Sequence, residues 1–256
     1  IQNGNMRLGK TEKDREALEE LQSGKADTVT VTVPEGYTVR QIAGVLKEAG
    51  VEGADQFEET AASYGPLKYQ YGPVAVPIKA EGFLFPDTYQ IPRSYTAKQI
   101  CDVMYKRTDE VLSPQIREEA KKKNISLHDL MTLASMVERE ARFREDQVPI
   151  ASVMLRRLRE GMPLQIDATI QYILGSPKAE LSISDTRIES PYNTYLHPGL
   201  PPGPIGAPGA DAIMAVLNAD PGEYLYYVAQ ADGHHVFTKT YEEHQAETEN
   251  IYGSSE

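Results

Sequence analysis

The chain has 256 residues, 40% of them apolar and 25% charged, which is the make-up of a globular protein able to bury a sizeable core. With 38 acidic against 26 basic residues, the formal net charge of −12 excludes the basic footprint of a broad nucleic-acid binder. One cysteine excludes an intramolecular disulfide or a cysteine-rich metal cluster, and no 18-residue apolar run spans a membrane.

Residues 11–23 are charged and helix-prone, with Leu18 and Leu21 on one side. Val29, Val31 and Val33 alternate with Thr30 and Thr32, predicting a half-buried strand that turns at Pro34-Glu35-Gly36. Thr38 and Gln41 form a capping box for a helix carrying Val39, Ile42, Ala43 and Leu46, stopped by Gly50. A second short helix is expected over 55–63, and 65–92 reads as loop with short extended pieces. Helices follow at 97–112, with Cys101 buried, and at 114–123. Ser126 caps a strong helix running to about Ala141, and the next helix is expected to begin near Pro149 and end at Gly161. A short helix over 168–174 closes at Gly175. The Pro/Gly-rich stretch 191–209 reads as a long functional loop. A helix near 209–218, a hairpin turning at Asp232-Gly233 and a last helix opened by Thr240 complete the chain.

On the helix over 127–141, Leu130, Leu133, Ala134, Val137 and Ala141 make a stripe of about 100°. Glu138 lies on one flank of this stripe, Glu140 on the other, and Arg139 is expected to point to solvent. A carboxylate on the rim of an apolar stripe is partly desolvated, and so holds a proton near neutrality. The plainer reading of Glu138 is an ion pair with Arg142 at i+4. Asp167 reads either as the N-cap of the 168–174 helix or as a second catalytic carboxylate. His234 and His235, adjacent on a strand, should face opposite ways and share no metal. The sequence calls for no metal and no organic cofactor.

Five segments carry a resemblance: EGFLFPDTY (81–89), LASMVEREA (133–141), SVMLRRLREGMPLQIDATIQYILG (152–175), SPYNTYLHPGLPPGPIGAPGADAI (190–213) and YLYYVAQADGHHVFTKTYEEH (224–244). In order and spacing they resemble the endolytic murein transglycosylase family, also called YceG-like, over roughly residues 27–250. QIDAT (165–169) stands where relatives carry QTDPT. The resemblance implies an α+β protein. A small LysM-like strand-helix-helix subdomain over 28–80 would be followed by a mixed, largely helical catalytic domain over 81–250 with a C-terminal β-hairpin. Residues 1–27, with LEELQSGK at 18–25, would be the remnant of a preceding segment. An N-terminal membrane anchor, absent from this sequence, is expected upstream of Ile1, with the catalytic part outside the cytoplasm.

The implied activity is non-hydrolytic cleavage of the β-1,4 bond between N-acetylmuramic acid and N-acetylglucosamine, leaving 1,6-anhydro ends. On this resemblance the family's catalytic glutamate falls on Glu138, acid first and base second. Gln165, Asp167, Tyr192, Asn193, Thr194 and Glu140 would bind substrate. Peptidoglycan strands and glycan-polymerising penicillin-binding protein synthases are the implied partners, with no nucleic acid. The alternatives are a non-catalytic peptidoglycan-binding protein and a glycoside hydrolase pairing Glu138 with Asp167 or Glu140.

Overall fold

The computed structural model describes residues 27–66, 76–176, 178 and 180–253. The helix expected over 11–23 and the remnant at 1–27 lie outside the described residues, apart from Asp27. Among the described residues there are nine α-helices and two two-stranded antiparallel sheets, an α+β arrangement dominated by helix.

Strand β1 (Thr28–Thr32) pairs antiparallel with β2 (Thr88–Pro92). Val29 faces Ile91 and Val31 faces Tyr89 on the core side. On the outer side the Thr32 and Thr88 hydroxyls lie 3.0 Å apart, and Gln90 Nε2 donates to Thr30 Oγ1 at 2.9 Å. Such cross-strand pairs are the unit of sheet stability. Between the strands run α1 (Val39–Glu48), a 3₁₀ turn (Glu52–Gln56) and α2 (Phe57–Ser63). The Thr38–Gln41 capping box forms as the sequence predicts, and α1 buries Val39, Ile42, Ala43 and Leu46.

Helix α3 (Ala97–Val111) packs on α2 and buries Cys101, and α4 (Pro114–Lys122) follows it. Helix α5 (Leu127–Glu140) is the central element. Residues 130–137 are all buried, so the narrow apolar stripe gives way to a helix enclosed all round. It packs against α6 (Arg144–Glu160), α7 (Asp167–Leu174) and α8 (Ala210–Asn218), and α6 also packs on α8. Thr132 and Ser135 fit this apolar setting because their hydroxyls donate to the carbonyls of His128 and Thr132.

Helix α6 begins five residues before the expected start, with Pro149 inside it. Proline removes one helical N–H, and here it does so in the second turn, where a single hydrogen bond is lost. The hairpin β3 (Tyr226–Ala229) and β4 (His235–Thr238) packs under α9 (Tyr241–Tyr252), which buries none of its own residues.

The Pro/Gly loop is sewn to the turn after β1. Gly36 N–H donates to the Ala207 carbonyl at 2.7 Å, and Ala207 N–H returns to the Tyr37 carbonyl at 2.8 Å. A Cβ on Gly206 would stand 2.5 Å from the Gly36 carbonyl oxygen, so only glycine permits this approach. No helix among the described residues is long and apolar enough to cross a membrane.

Candidate functional site

The last turn of α5 carries three consecutive charged residues, and at about 100° per residue they leave the helix in three directions. Glu138 reaches the start of α8, where its Oε2 accepts the Gly209 N–H at 3.0 Å. Burial pushes its carboxyl up to about 7, helped by the Glu35 and Asp211 charges and opposed by the Gly209 N–H. Its neighbours are therefore the turn at 35–36 and the end of the Pro/Gly loop.

Arg139 turns inward, contrary to the solvent-facing expectation. Its Nη1 donates to the Ile205 carbonyl at 3.0 Å, and its charge lowers the proton affinity of Glu81. Both line a cavity of ≈ 620 Å³ between α1, α2 and α7, together with Tyr172 and Tyr192. Glu81 is 3% exposed. It accepts the Val39 N–H and the Tyr172 hydroxyl, at 3.1 and 3.2 Å. Burial raises its carboxyl to about 7.

Glu140 enters a separate cleft of ≈ 460 Å³, lined also by Arg157, Gln165, Asp167, Tyr195, Tyr227 and His235. Its Oε1 accepts the Ala168 N–H at 3.2 Å, at the N-terminus of α7, and its Oε2 accepts the Tyr227 hydroxyl at 3.1 Å. Burial, then the Asp167 charge, raises the Glu140 carboxyl above the usual range. The helix N-terminus, the Tyr227 hydroxyl and His235 pull the other way. Two donors thus serve the charged form of this group, while burial and a neighbouring charge favour the neutral one.

Asp167 is exposed at the first residue of α7 and does not cap it: Ile166 occupies the N-cap without a side-chain bond. Glu140 meets the free N–H groups there instead, leaving Asp167 to accept the Tyr195 hydroxyl. Gln165 is exposed beside it at φ +55°, its Oε1 accepting from Arg157 Nη1 at 3.0 Å. The cleft thus gathers Glu140, Gln165 and Asp167, while Glu138 and Tyr192 lie elsewhere.

Asn193 and Thr194 are spent on their own loop. Asn193 is 0% exposed. Its Nδ2 donates to the Thr186 and Ile188 carbonyls at 3.1 and 2.8 Å, and its Oδ1 accepts the Tyr195 N–H at 2.9 Å. Thr194 Oγ1 accepts the Ile166 N–H at 2.9 Å and meets Thr169 Oγ1 at 3.0 Å. These two residues hold Tyr195 and Gln165 in place from behind, with no polar atom left to offer the cleft.

Sequence reasoning missed Tyr195, Tyr227, Arg157, His235 and Asp146. Tyr195 closes the same Tyr192–Tyr195 string and was within reach. The others come from the hairpin and α6, which only the fold brings to α5. His234 and His235 do not diverge: both approach Asp146 Oδ2, through Nδ1 at 3.7 and 3.0 Å. His234 precedes the strand, so strand alternation does not apply to it. Tyr226 extends the cleft wall, under the Arg157 guanidinium at 5.0 Å and stacked on His244 at 5.3 Å.

The YceG-like family model matches residues 1–250. The endolytic murein transglycosylase of Streptococcus pneumoniae strain D39 is 36% identical over 272 residues, 94% of this chain and 49% of that protein. That of Bacillus subtilis is 41% identical over 175 residues, 68% of this chain and 48% of that protein. The crystal structure of a yceG-like protein from Listeria monocytogenes superposes with a TM-score of 0.77 at 31% identity, covering 91% of this chain and 80% of that one. This chain spans about half the length of the curated relatives it matches. It belongs to the YceG-like family.

Proposed function

We propose that this member of the YceG-like family cleaves peptidoglycan strands as an endolytic murein transglycosylase, and that Glu140, rather than Glu138, is its proton shuttle. The observation that carries the assignment is the company Glu140 keeps. It is the carboxyl at the back of the cleft that Gln165 and Asp167 line, and it alone of the two glutamates meets those residues. Burial and the Asp167 charge favour a protonated Glu140 at the start of the reaction. It would protonate the glycosidic oxygen as the bond from the N-acetylmuramic C1 to that oxygen breaks. The Ala168 N–H and Tyr227 hydroxyl then stabilise the carboxylate so formed. The sugar's own O6 attacks C1 and its proton returns to Glu140, closing the 1,6-anhydro ring with no water consumed. Asp167, exposed on the near wall, is available to stabilise the oxocarbenium-like transition state.

Under this reading Asn193 and Thr194 position the wall, and Glu138 joins α5 to the start of α8. The β1-α1-α2-β2 unit is the LysM-like subdomain, closed by the strand at 88–92. A membrane anchor upstream, an extracytoplasmic location and penicillin-binding protein synthases as partners go with the same reading.

The test is digestion of isolated peptidoglycan followed by mass spectrometry of the released muropeptides. Anhydro ends support a transglycosylase, ends heavier by one water support a two-carboxylate hydrolase, and no release supports a binding protein. Glu140→Gln should lower release by roughly 10²–10⁴-fold, while Glu138→Gln keeps most of it. The reverse ranking would return the role to Glu138.

A further inference from the structure

We infer that Asp146, His235 and Tyr227 form a positioning chain that sets the orientation and proton affinity of Glu140. The inference rests on the reading of Glu140 as the proton shuttle and adds residues that this reading does not use. Asp146 is 7% exposed on α6, a depth at which a carboxyl needs partners. Its Oδ2 accepts two bonds from one residue: the His235 backbone N–H and the His235 ring at Nδ1, each at 3.0 Å. A carboxylate oxygen only accepts, so the ring donates from Nδ1 and the tautomer is fixed. The His235 ring stands edge-on to Tyr227, with centroids 5.4 Å apart at 83°. Tyr227 in turn donates its hydroxyl to Glu140 Oε2 at 3.1 Å. Three elements, α6, β4 and β3, are thereby tied to the end of α5 through one line of contacts.

An Asp–His pair has a second consequence. The His235 imidazole lines the same cleft and lowers the proton affinity of Glu140. The other charged or titratable groups around Glu140 are Asp167 on α7, Tyr195 from the loop, Tyr227 on β3, and Arg139 and Arg157 on α5 and α6, with Tyr226 on β3 and Tyr241, His244 and Tyr252 on α9 further along the cleft. Around Asp146 the remaining one is His234, whose ring stacks on Phe143 at 4.0 Å. His235 is thus the group that both stands against the Tyr227 ring and lowers the proton affinity of Glu140. The direction follows. Turnover needs protonated Glu140, so it falls as pH rises through the Glu140 pKa. Removing the imidazole raises that pKa and moves the alkaline limb to higher pH.

The experiment measures kcat, KM and the alkaline limb of kcat for release of anhydro-muropeptides from uncrosslinked glycan strands. The variants are His235→Gln, Asp146→Asn and Glu140→Gln, each checked by thermal melting. His235→Gln should lose roughly 10- to 100-fold in kcat, as a shuttle displaced from its attack geometry does. KM should stay within about twofold and the limb should move up by at least about half a pH unit. Asp146→Asn should move the limb the same way by less. If Glu140→Gln is inactive while the limb stays put in both other variants, the positioning chain is overturned and the pair is packing. If His235→Gln fails to fold, an unmoved limb in Asp146→Asn is sufficient to overturn it. A Glu140→Gln variant that still cleaves refutes the shuttle itself, and with it this inference.

Discussion

Replacing Glu81 by Gln tests the electrostatics of the seam between the N-terminal unit and the helical core. Glu81 accepts from Val39 N–H and Tyr172 hydroxyl at 3% exposure, so Gln fills the same volume and keeps the Val39 bond. The Tyr172 hydroxyl can turn to accept from the new amide. The folded carboxyl sits at about 7 against an ordinary value of 4.5, chiefly through burial. A carboxyl raised in the folded state is bound to its proton more tightly there than in the unfolded chain. Its contribution is therefore intact below about pH 4.5, declines as pH rises towards 7, and stays lost above that. At about 1.4 kcal/mol per pH unit, the gap amounts to about 3 kcal/mol as an order of magnitude. Gln has no such decline. Glu81→Gln should match the parent at pH 4.5 and exceed it at pH 8 by up to about 3 kcal/mol, roughly 6–12 °C in Tm for a chain of this size. Glu138 and Glu140 are present in both proteins, so the difference between the two melting curves isolates Glu81. A variant that gains nothing on the parent between pH 4.5 and pH 8 would refute the reasoning.

Asn193→Ala removes three buried hydrogen bonds and should cost about 3–5 kcal/mol, read as a fall in Tm larger than any change in KM. Gly206→Ala pushes a methyl against the Gly36 carbonyl and should lower Tm by several degrees, whereas an unchanged Tm would mean that the seam gives way freely. Asp167→Asn keeps an acceptor for Tyr195 but removes the charge beside Glu140, so turnover should fall while Tm holds; equal turnover would make Asp167 a support for Tyr195 alone.

Most helices were legible because their signals are local. Thr38, Thr96, Ser113, Ser126 and Thr240 each cap the helix that follows, and Gly161 and Gly175 close theirs in the left-handed region. The pairing of β1 with β2 was not legible, since some 60 residues separate the partners and Thr88–Pro92 carries two polar residues in five. Helix α6 was shortened in the reading because Pro149 resembles a first-turn proline, and the five residues before it have no capping side chain. The burial of α5 on every side was hidden for a different reason: Thr132, Ser135 and His128 look like a solvent face until their hydrogen-bond partners are known.

The proposed shuttle lies two residues along α5 from the glutamate that the resemblance points to, and the reason the sequence does not separate the two is geometric. Glu138 and Glu140 differ by about 200° around the helix axis, so both can flank one apolar stripe and neither is preferred by periodicity. What separates them is the surroundings, supplied for the most part by segments distant in the sequence. Glu138 meets the N–H of Gly209 and the charges of Glu35 and Asp211, a joint between packed elements. Glu140 meets the start of α7, the Tyr227 hydroxyl and the Asp146–His235 pair across the hairpin. A shuttle that must first hold and then reclaim a proton needs stabilising partners for both of its charge states beside an open cleft. Of the two glutamates, Glu140 combines a cleft-lining position with two donors for its charged form and a neighbouring charge that favours its neutral one. The same requirement explains why Asn193 and Thr194 are buried. The wall they brace carries Tyr195 and Gln165, and side chains that must stay aimed at a substrate need a rigid support behind them.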